Sequence, residues 1–312
     1  EQASTPEARR ASRPDTTEYE GDGVHTYFPH EFLLESSDPG RANALNRWAY
    51  DQIYPDEALG VFAQRAVRTL GLGEDEVTDY LALSFSQTDA IGHDYGPFSR
   101  EQLENLLHLD RVLGSVMEVL DAEVGKGRWV MALTADHGVL TMPEYPPAAE
   151  AGATRATPED LQEIRNVFRA YASLEGDARA IQDSLVTELE RLPMVGDALS
   201  VTELTTPPPV DSFVVLMRNS YHPDRWITGY DSEGSSVVFR FSEGLYPTSD
   251  PRGTGHGSPY YYDRHVPLFF VGAGVRPGVS RDPVRSVDVA PTLAELAGIP
   301  VPEDLDGRPV LR

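Results

Sequence analysis

Tyr80-Leu-Ala-Leu-Ser-Phe85, running into Ser86-Gln-Thr-Asp89-Ala-Ile-Gly-His93, is the stretch on which the reading of this chain turns. A short apolar run of that kind reads as a buried strand. It delivers a carboxylate and an imidazole, four residues apart, into what reads as a Gly-containing loop. The design recurs at Trp129-Val-Met-Ala-Leu-Thr134, which leads into Asp136-His137-Gly138. A third Gly-rich segment, Gly253-Thr-Gly-His256-Gly257, stands shortly before the apolar run Val266-Pro-Leu-Phe-Phe-Val271.

Between the first two segments, Ser99 is placed to cap a helix reaching about Val124. Leu103, Leu106, Leu107, Leu113, Val116, Met117 and Leu120 form its apolar stripe. Strand, helix and strand over about 79–134 predict a right-handed crossover and parallel strands. The expected class is therefore α/β, a mostly parallel sheet flanked by helices. Upstream, helices are expected at 41–52 and 55–70, the second with Ala58, Phe62, Ala66 and Leu70 facing the core. Downstream, two acidic helices are expected near 158–174 and 177–191. Three prolines at 207–209, β-like runs at 212–217 and 236–241, and a helix near 288–297 complete the pass. The domains implied are a polar arm at 1–26, an α/β core at 27–139 and 253–312, and an α+β insertion at 140–252 acting as a lid.

Composition narrows the partners. The 312 residues carry a net charge of −24, which disfavours nucleic acid, because binding a phosphate backbone requires basic patches. Hydrophobic content of 40% is ordinary for a globular protein. There is no cysteine, which removes disulfides, thiolate metal sites and cysteine nucleophiles together. No apolar run is long enough to span a membrane, and the first residues lack the apolar segment of a signal peptide.

Oxygen and nitrogen ligands at strand ends suit a hydrolytic zinc centre better than a structural zinc site. Asp89 and His93 can chelate one metal, and His256 can complete it as an Asp-His-His set. Asp136 and His137, adjacent in a turn, can converge on a second metal or flank it. Of the other histidines, His25, His30, His108 and His222 are expected to be exposed or hydrogen-bonded. His265 is a candidate for supporting a ligand.

Taken together, Ser84-Phe-Ser-Gln-Thr-Asp-Ala-Ile-Gly-His-Asp-Tyr-Gly-Pro-Phe-Ser-Arg-Glu101, Leu133-Thr-Ala-Asp-His-Gly-Val139 and Gly253-Thr-Gly-His-Gly-Ser-Pro-Tyr-Tyr-Tyr-Asp263 resemble the alkaline phosphatase superfamily. The likeness is to its bacterial periplasmic phosphate-irrepressible and sphingomonad-type phosphatases, which are similar to type I phosphodiesterases and nucleotide pyrophosphatases. The tail Ser286-Val-Asp-Val-Ala-Pro-Thr-Leu293 is shared with the wider superfamily.

The resemblance implies an alkaline-phosphatase-like fold and two Zn²⁺ ions. Asp89, His93 and His256 would hold one ion, and Asp136 and His137 the other. It implies a small phosphate ester as substrate, monoesters first with diesters as the alternative, and a periplasmic or secreted location. A sulfatase is disfavoured, since three histidine ligands suit zinc. It also requires an upstream Asp ligand, a Thr or Ser nucleophile and a cationic clamp. None of these is found here, and Thr5, Thr16 and Thr17 lie in the polar arm. The expectation is a C-terminal portion of a longer phosphatase whose N-terminal portion carries the nucleophile. Such a portion would lack the N-terminal part of the sheet and be inactive alone. The remaining reading is a non-catalytic zinc-binding fragment.

Overall fold

The structure is a computed structural model that describes residues 40–205, 212–220 and 237–311, with isolated residues at 6, 10, 12, 18–21, 30 and 32. Most of the arm expected at 1–26, and the three prolines at 207–209, lie outside the described residues. The chain divides into two units, Glu1–Gly138 with His265–Arg312, and Val139–Arg264.

The first unit opens with helices α1 (Arg41–Tyr50), α2 (Tyr54–Leu70), α3 (Gln87–Tyr95) and α4 (Arg100–Val119), followed by strand β1 (Val130–Thr134). The chain then forms the second unit, chiefly helices α5 (Pro158–Ala172) and α6 (Ala178–Glu190) and strands β2 (Val195–Ser200) and β3 (Val237–Phe241). It re-enters the first unit as β4 (Leu268–Gly272) and helix α7 (Val289–Leu296).

In the first unit α2 packs on α4 through its small residues. Gly60 approaches Val112 so closely that a Cβ would lie 2.3 Å from Val112 Cγ1. The buried face of α2 is therefore Asp56, Gly60, Ala63 and Val67. The larger stripe expected to face inward is turned out, with Phe62 68% and Leu70 70% exposed. Close backbone approach selected the face with little side-chain volume. The stripe expected on α4 is kept in part: Val116 is buried, with Glu101, Gln102, Asn105, Val112 and Val119 beside it, while Leu106 is exposed. Ser99 caps α4 as expected, accepting from the Gln102 N–H at 3.0 Å. Regular helix stops at Val119 and continues as a π turn over Leu120–Gly125, where Asp121 accepts from the Trp129 indole at 3.0 Å.

Two expectations for the sheet are corrected. Residues 79–86 form no strand, and Tyr80 is 82% exposed. A strand exists only through a ladder to a neighbour, and no described residue pairs with this run. β1 pairs instead with β4, antiparallel, from Val130 opposite Gly272 to Thr134 opposite Leu268. The expected parallel partner of β1 is thus absent from the described ladders.

The second unit has a core of its own. Ile164 of α5 and Leu185, Val186 and Leu189 of α6 pack on Met194, just before β2, and on Val195, Ala198 and Val237 of the antiparallel β2–β3 pair. Helix α5 begins with a capping box in which Thr157 and Asp160 bond each other's backbone N–H. The run expected to be β-like at 212–217 is a helix, Ser212–Ser220, with Phe213 fully buried. Its apolar residues are consecutive, and such short runs do not distinguish helix from strand. Strand β2 had no forecast, because Val195-Gly-Asp-Ala-Leu-Ser200 lacks period-two alternation.

Candidate metal centre

Asp89 and His93 sit on a helix rather than in a loop. Gly92 suggested a loop, but its role is packing: a Cβ there would come 3.3 Å from Gln102 Nε2 of α4. The helix ends four residues later at Gly96, whose φ of 82° is a conformation suited to glycine. Helical geometry sets residues four apart on one face. Asp89 Oδ1 and His93 Nε2 accordingly stand 3.3 Å apart.

Buried polar groups lock α3 in place. Gln102 Nε2 donates to the Thr88 carbonyl at 2.7 Å, and Asn105 Nδ2 donates to Thr88 Oγ1 at 3.0 Å. Asp56, 2% exposed, accepts the Ser86 N–H at 3.1 Å just before the first turn. Burial holds the Asp56 carboxyl above the ordinary carboxylate range, and the Gln87 and Ser86 N–H groups and His108 oppose that shift. Asp89 falls in the first turn of α3, where the helix dipole favours negative charge.

Strand β1 carries the second pair just beyond its carboxyl end, and Thr134 Oγ1 donates to the Pro267 carbonyl at 2.9 Å to fix the exit. Asp136 Oδ1 accepts the His137 N–H at 3.1 Å. The His137 Nδ1 lies 2.9 Å from the Gly138 carbonyl, which can only accept, so Nδ1 carries a proton and Nε2 is the nitrogen turned toward the carboxylates. That Nε2 lies 3.6 Å from Asp136 Oδ2 and 3.9 Å from Asp89 Oδ1.

These spacings test the fit of a metal. Ligands about 2.0–2.1 Å from a tetrahedral zinc stand roughly 3.3–3.4 Å apart. The Asp89–His93 separation meets that value, and a donor set of carboxylate oxygens and imidazole nitrogens is zinc chemistry. Four of the five candidate ligands are thus brought together within the first unit. Asp136 remains the most open, its side chain 89% exposed.

His256 belongs to the second unit, exposed on a tightly held loop. Each glycine of Gly253-Thr-Gly-His-Gly257 has a distinct reason. Gly253 and Gly257 adopt φ of 66° and 111°, the conformations that make the turns. Gly255 lets the Tyr246 ring approach, since a Cβ there would meet Tyr246 Cε2 at 2.8 Å. Buried Thr254 donates to the Leu140 carbonyl at 2.8 Å, and the Leu140 N–H donates to the Gly255 carbonyl at 3.0 Å. Buried Asp263 accepts from both the N–H and the hydroxyl of Ser258, at 2.7 and 2.6 Å.

Of the remaining histidines, His30 is buried and pairs with Glu101 at 3.0 Å. His265 is exposed, and His25 and His222 lie outside the described residues. The supporting groups Asp56, Gln102 and Asp263 were not anticipated. A buried acid next to the Ser258 turn, in Tyr260-Tyr-Tyr-Asp263, was the available signal for the last of them.

Residues 12–261 match the profile of the family described as Type I phosphodiesterase / nucleotide pyrophosphatase. The alkaline phosphatase PafA of Elizabethkingia meningoseptica is 29% identical over 275 residues, covering 80% of this chain and 48% of that protein. The alkaline phosphatase PhoV of Synechococcus elongatus is 30% identical over 271 residues, covering 79% and 47% respectively. The crystal structure of wild-type alkaline phosphatase PafA superposes with a TM-score of 0.74 at 25% identity, covering 96% of this chain and 59% of that one. The chain therefore shares the α/β fold of that enzyme and spans about half the length of the curated relatives it matches. Among the described residues, no helix is long and apolar enough to cross a membrane.

Proposed function

The chain belongs to the type I phosphodiesterase / nucleotide pyrophosphatase family, and from that premise we propose that it is the metal-binding portion of a phosphate ester hydrolase of alkaline phosphatase type. The observation that carries this reading is the Asp89, His93 and His137 donor geometry, 3.3 and 3.9 Å between atoms at the ends of α3 and β1. We assign Asp89, His93 and His256 to one zinc, and Asp136 and His137 to a second whose ligand set is completed outside this chain.

When bound, the zinc pair would supply Lewis-acid charge at the phosphoryl oxygens and at the leaving group. The chain's own residues orient that charge. The α3–α4 polar clamp sets the Asp89–His93 face, and the Gly138 carbonyl fixes the His137 tautomer. With the chain at net −24, the substrate's negative charge requires such local compensation. The nucleophile is assigned to the N-terminal portion of the same protein. Exposed apolar side chains of the first unit support that partner: Phe62, Leu70, Val77, Tyr80, Leu81, Phe269 and Val271 are all exposed. Two-stranded sheets are marginal alone, and open edges invite further strands. The substrate class is a phosphate monoester, as in the named phosphatase relatives. Diesters are the second reading, favoured by the family to which the profile belongs. Action outside the cytoplasm is supported by the likeness to periplasmic phosphatases and the absence of cysteine.

The test compares this chain with a longer form that includes the N-terminal portion, each with zinc, on an aryl phosphate monoester and its diester. The longer form is expected to hydrolyse the monoester faster, and this chain alone to be nearly inactive, because positioning supplies much of phosphoryl-transfer catalysis. Robust turnover by the 312 residues alone, lost in His93→Ala, would place a nucleophile inside them. Zinc binding without turnover by the longer form would favour the non-catalytic reading.

A further inference from the structure

We propose that Arg155, anchored by Glu144, is a positioning residue that fixes the loop presenting His256 and makes that loop the mount of a metal ligand. This rests on the reading of His256 as a zinc ligand. The Arg155 side chain is 10% exposed, and four bonds account for most of its guanidinium donors. Its Nε and Nη2 form a two-point fork on the Glu144 carboxylate. Its Nη1 donates to the Arg252 carbonyl at 3.1 Å, and Nη2 also donates to the Gly253 carbonyl at 2.6 Å. Those carbonyls open the turn that ends in His256.

A second contact comes from the same place. Arg155 pairs with Tyr246 in a short parallel bridge, and its guanidinium lies 5.3 Å from the centre of the Tyr246 ring. The Cε2 and hydroxyl side of that ring fills the space left by Gly255, one residue before His256. Glu144, Arg155, Tyr246 and Gly255 therefore form a continuous stack ending at the ligand. With its donors committed to Glu144 and to main-chain oxygens, Arg155 is built to hold backbone and not to bind substrate. A planar fork is required, because the four bonds need four N–H donors spread over a guanidinium, whereas a lysine ammonium carries three on one atom.

The test is a double-mutant cycle on the 312-residue chain, read as zinc affinity by competition with a chromophoric chelator and as the visible spectrum of the cobalt(II) form. Arg155→Met is expected to weaken zinc about 10- to 100-fold and to shift the cobalt bands, and Arg155→Lys to fail to rescue it. In a His256→Ala background Arg155→Met should add nothing. An equal loss in both backgrounds would show a general effect on folding and overturn the proposal. An unchanged affinity in Arg155→Met, with His256→Ala still weakened, would also overturn it. If His256→Ala itself binds zinc as well as the parent, the ligand assignment fails instead. Should Arg155→Met fail to fold, Glu144→Gln, which keeps the shape of the fork, is expected to give a smaller loss that again vanishes in His256→Ala. Persistence of that loss there would refute the mount.

Discussion

Asp89 Oδ1 lies 3.3 Å from His93 Nε2, because the two residues occupy successive turns of one helix face. A loop could bring the same pair together, but a helix holds the separation without further bonds, and buried Gln102 and Asn105 hold the helix. The helix sets the spacing of this pair, and α4, which carries none of the proposed ligands, holds the helix in place.

Removing a ligand should be measurable directly. His93→Ala and Asp89→Asn are each expected to weaken zinc binding by about 100-fold or more, read by chelator competition. Gln102→Ala, which touches no donor atom, should weaken it by about 10-fold through loss of the bond to Thr88. Retention of full affinity in either ligand variant would remove that residue from the centre.

Asp56 gives a pH prediction whose sign follows from its burial. Its folded pKa is raised, so the native state binds the proton more tightly than the unfolded chain. Stability from this group is complete below the ordinary value of 3.8 and falls as pH rises through the raised folded value. Asp56→Asn keeps an acceptor for the Ser86 N–H and removes the buried charge. It is expected to raise the Tm at neutral pH and leave it nearly unchanged at pH below 3.8. A lower Tm at neutral pH would mean that the charge itself holds α3.

Asp288 behaves in the opposite sense. Burial pushes its carboxyl up, but the N–H groups of Arg308 and Arg285, at 3.0 and 2.8 Å, with their charges, pull it lower overall. Its contribution is present above 3.8 and is lost as pH falls through the depressed folded value. Asp288→Asn should cost about 2 kcal/mol at neutral pH and progressively less on acidification, measured by urea unfolding at several pH values.

The second unit should respond to its own core and cap. Leu189, 0% exposed, is expected to cost about 2–5 kcal/mol when replaced by Ala. Thr157→Ala removes one arm of the capping box and should cost about 1 kcal/mol. Hydrogen exchange on both variants should show increased opening of α5, α6, β2 and β3, with α3 and α4 protected as in the parent. Loss of protection throughout the first unit would contradict a separate core.

Long periodic helices were legible in the sequence, and the candidate ligands could be nominated there, because each rests on local chemistry. Ser99 followed by Glu101 and Gln102 announces a capped helix, and Asp136-His137-Gly138 after an apolar run announces a strand-end turn. What tertiary structure alone decided was which faces touch. Gly60 and Ala63 were chosen over Phe62 and Leu70 because two helix backbones approach closely there. Gly92 proved to be a packing residue inside α3, since only Gln102 across the interface gives it that role. The run at 80–85 has the composition of a strand but no ladder, because pairing depends on a neighbour that its own residues do not specify. Arg155 likewise has no local signature, because its partners Glu144, Arg252 and Gly253 are joined to it only by the fold. Side-chain chemistry and local periodicity are properties of the sequence, whereas contacts between distant segments depend on backbone separation, which no single segment encodes.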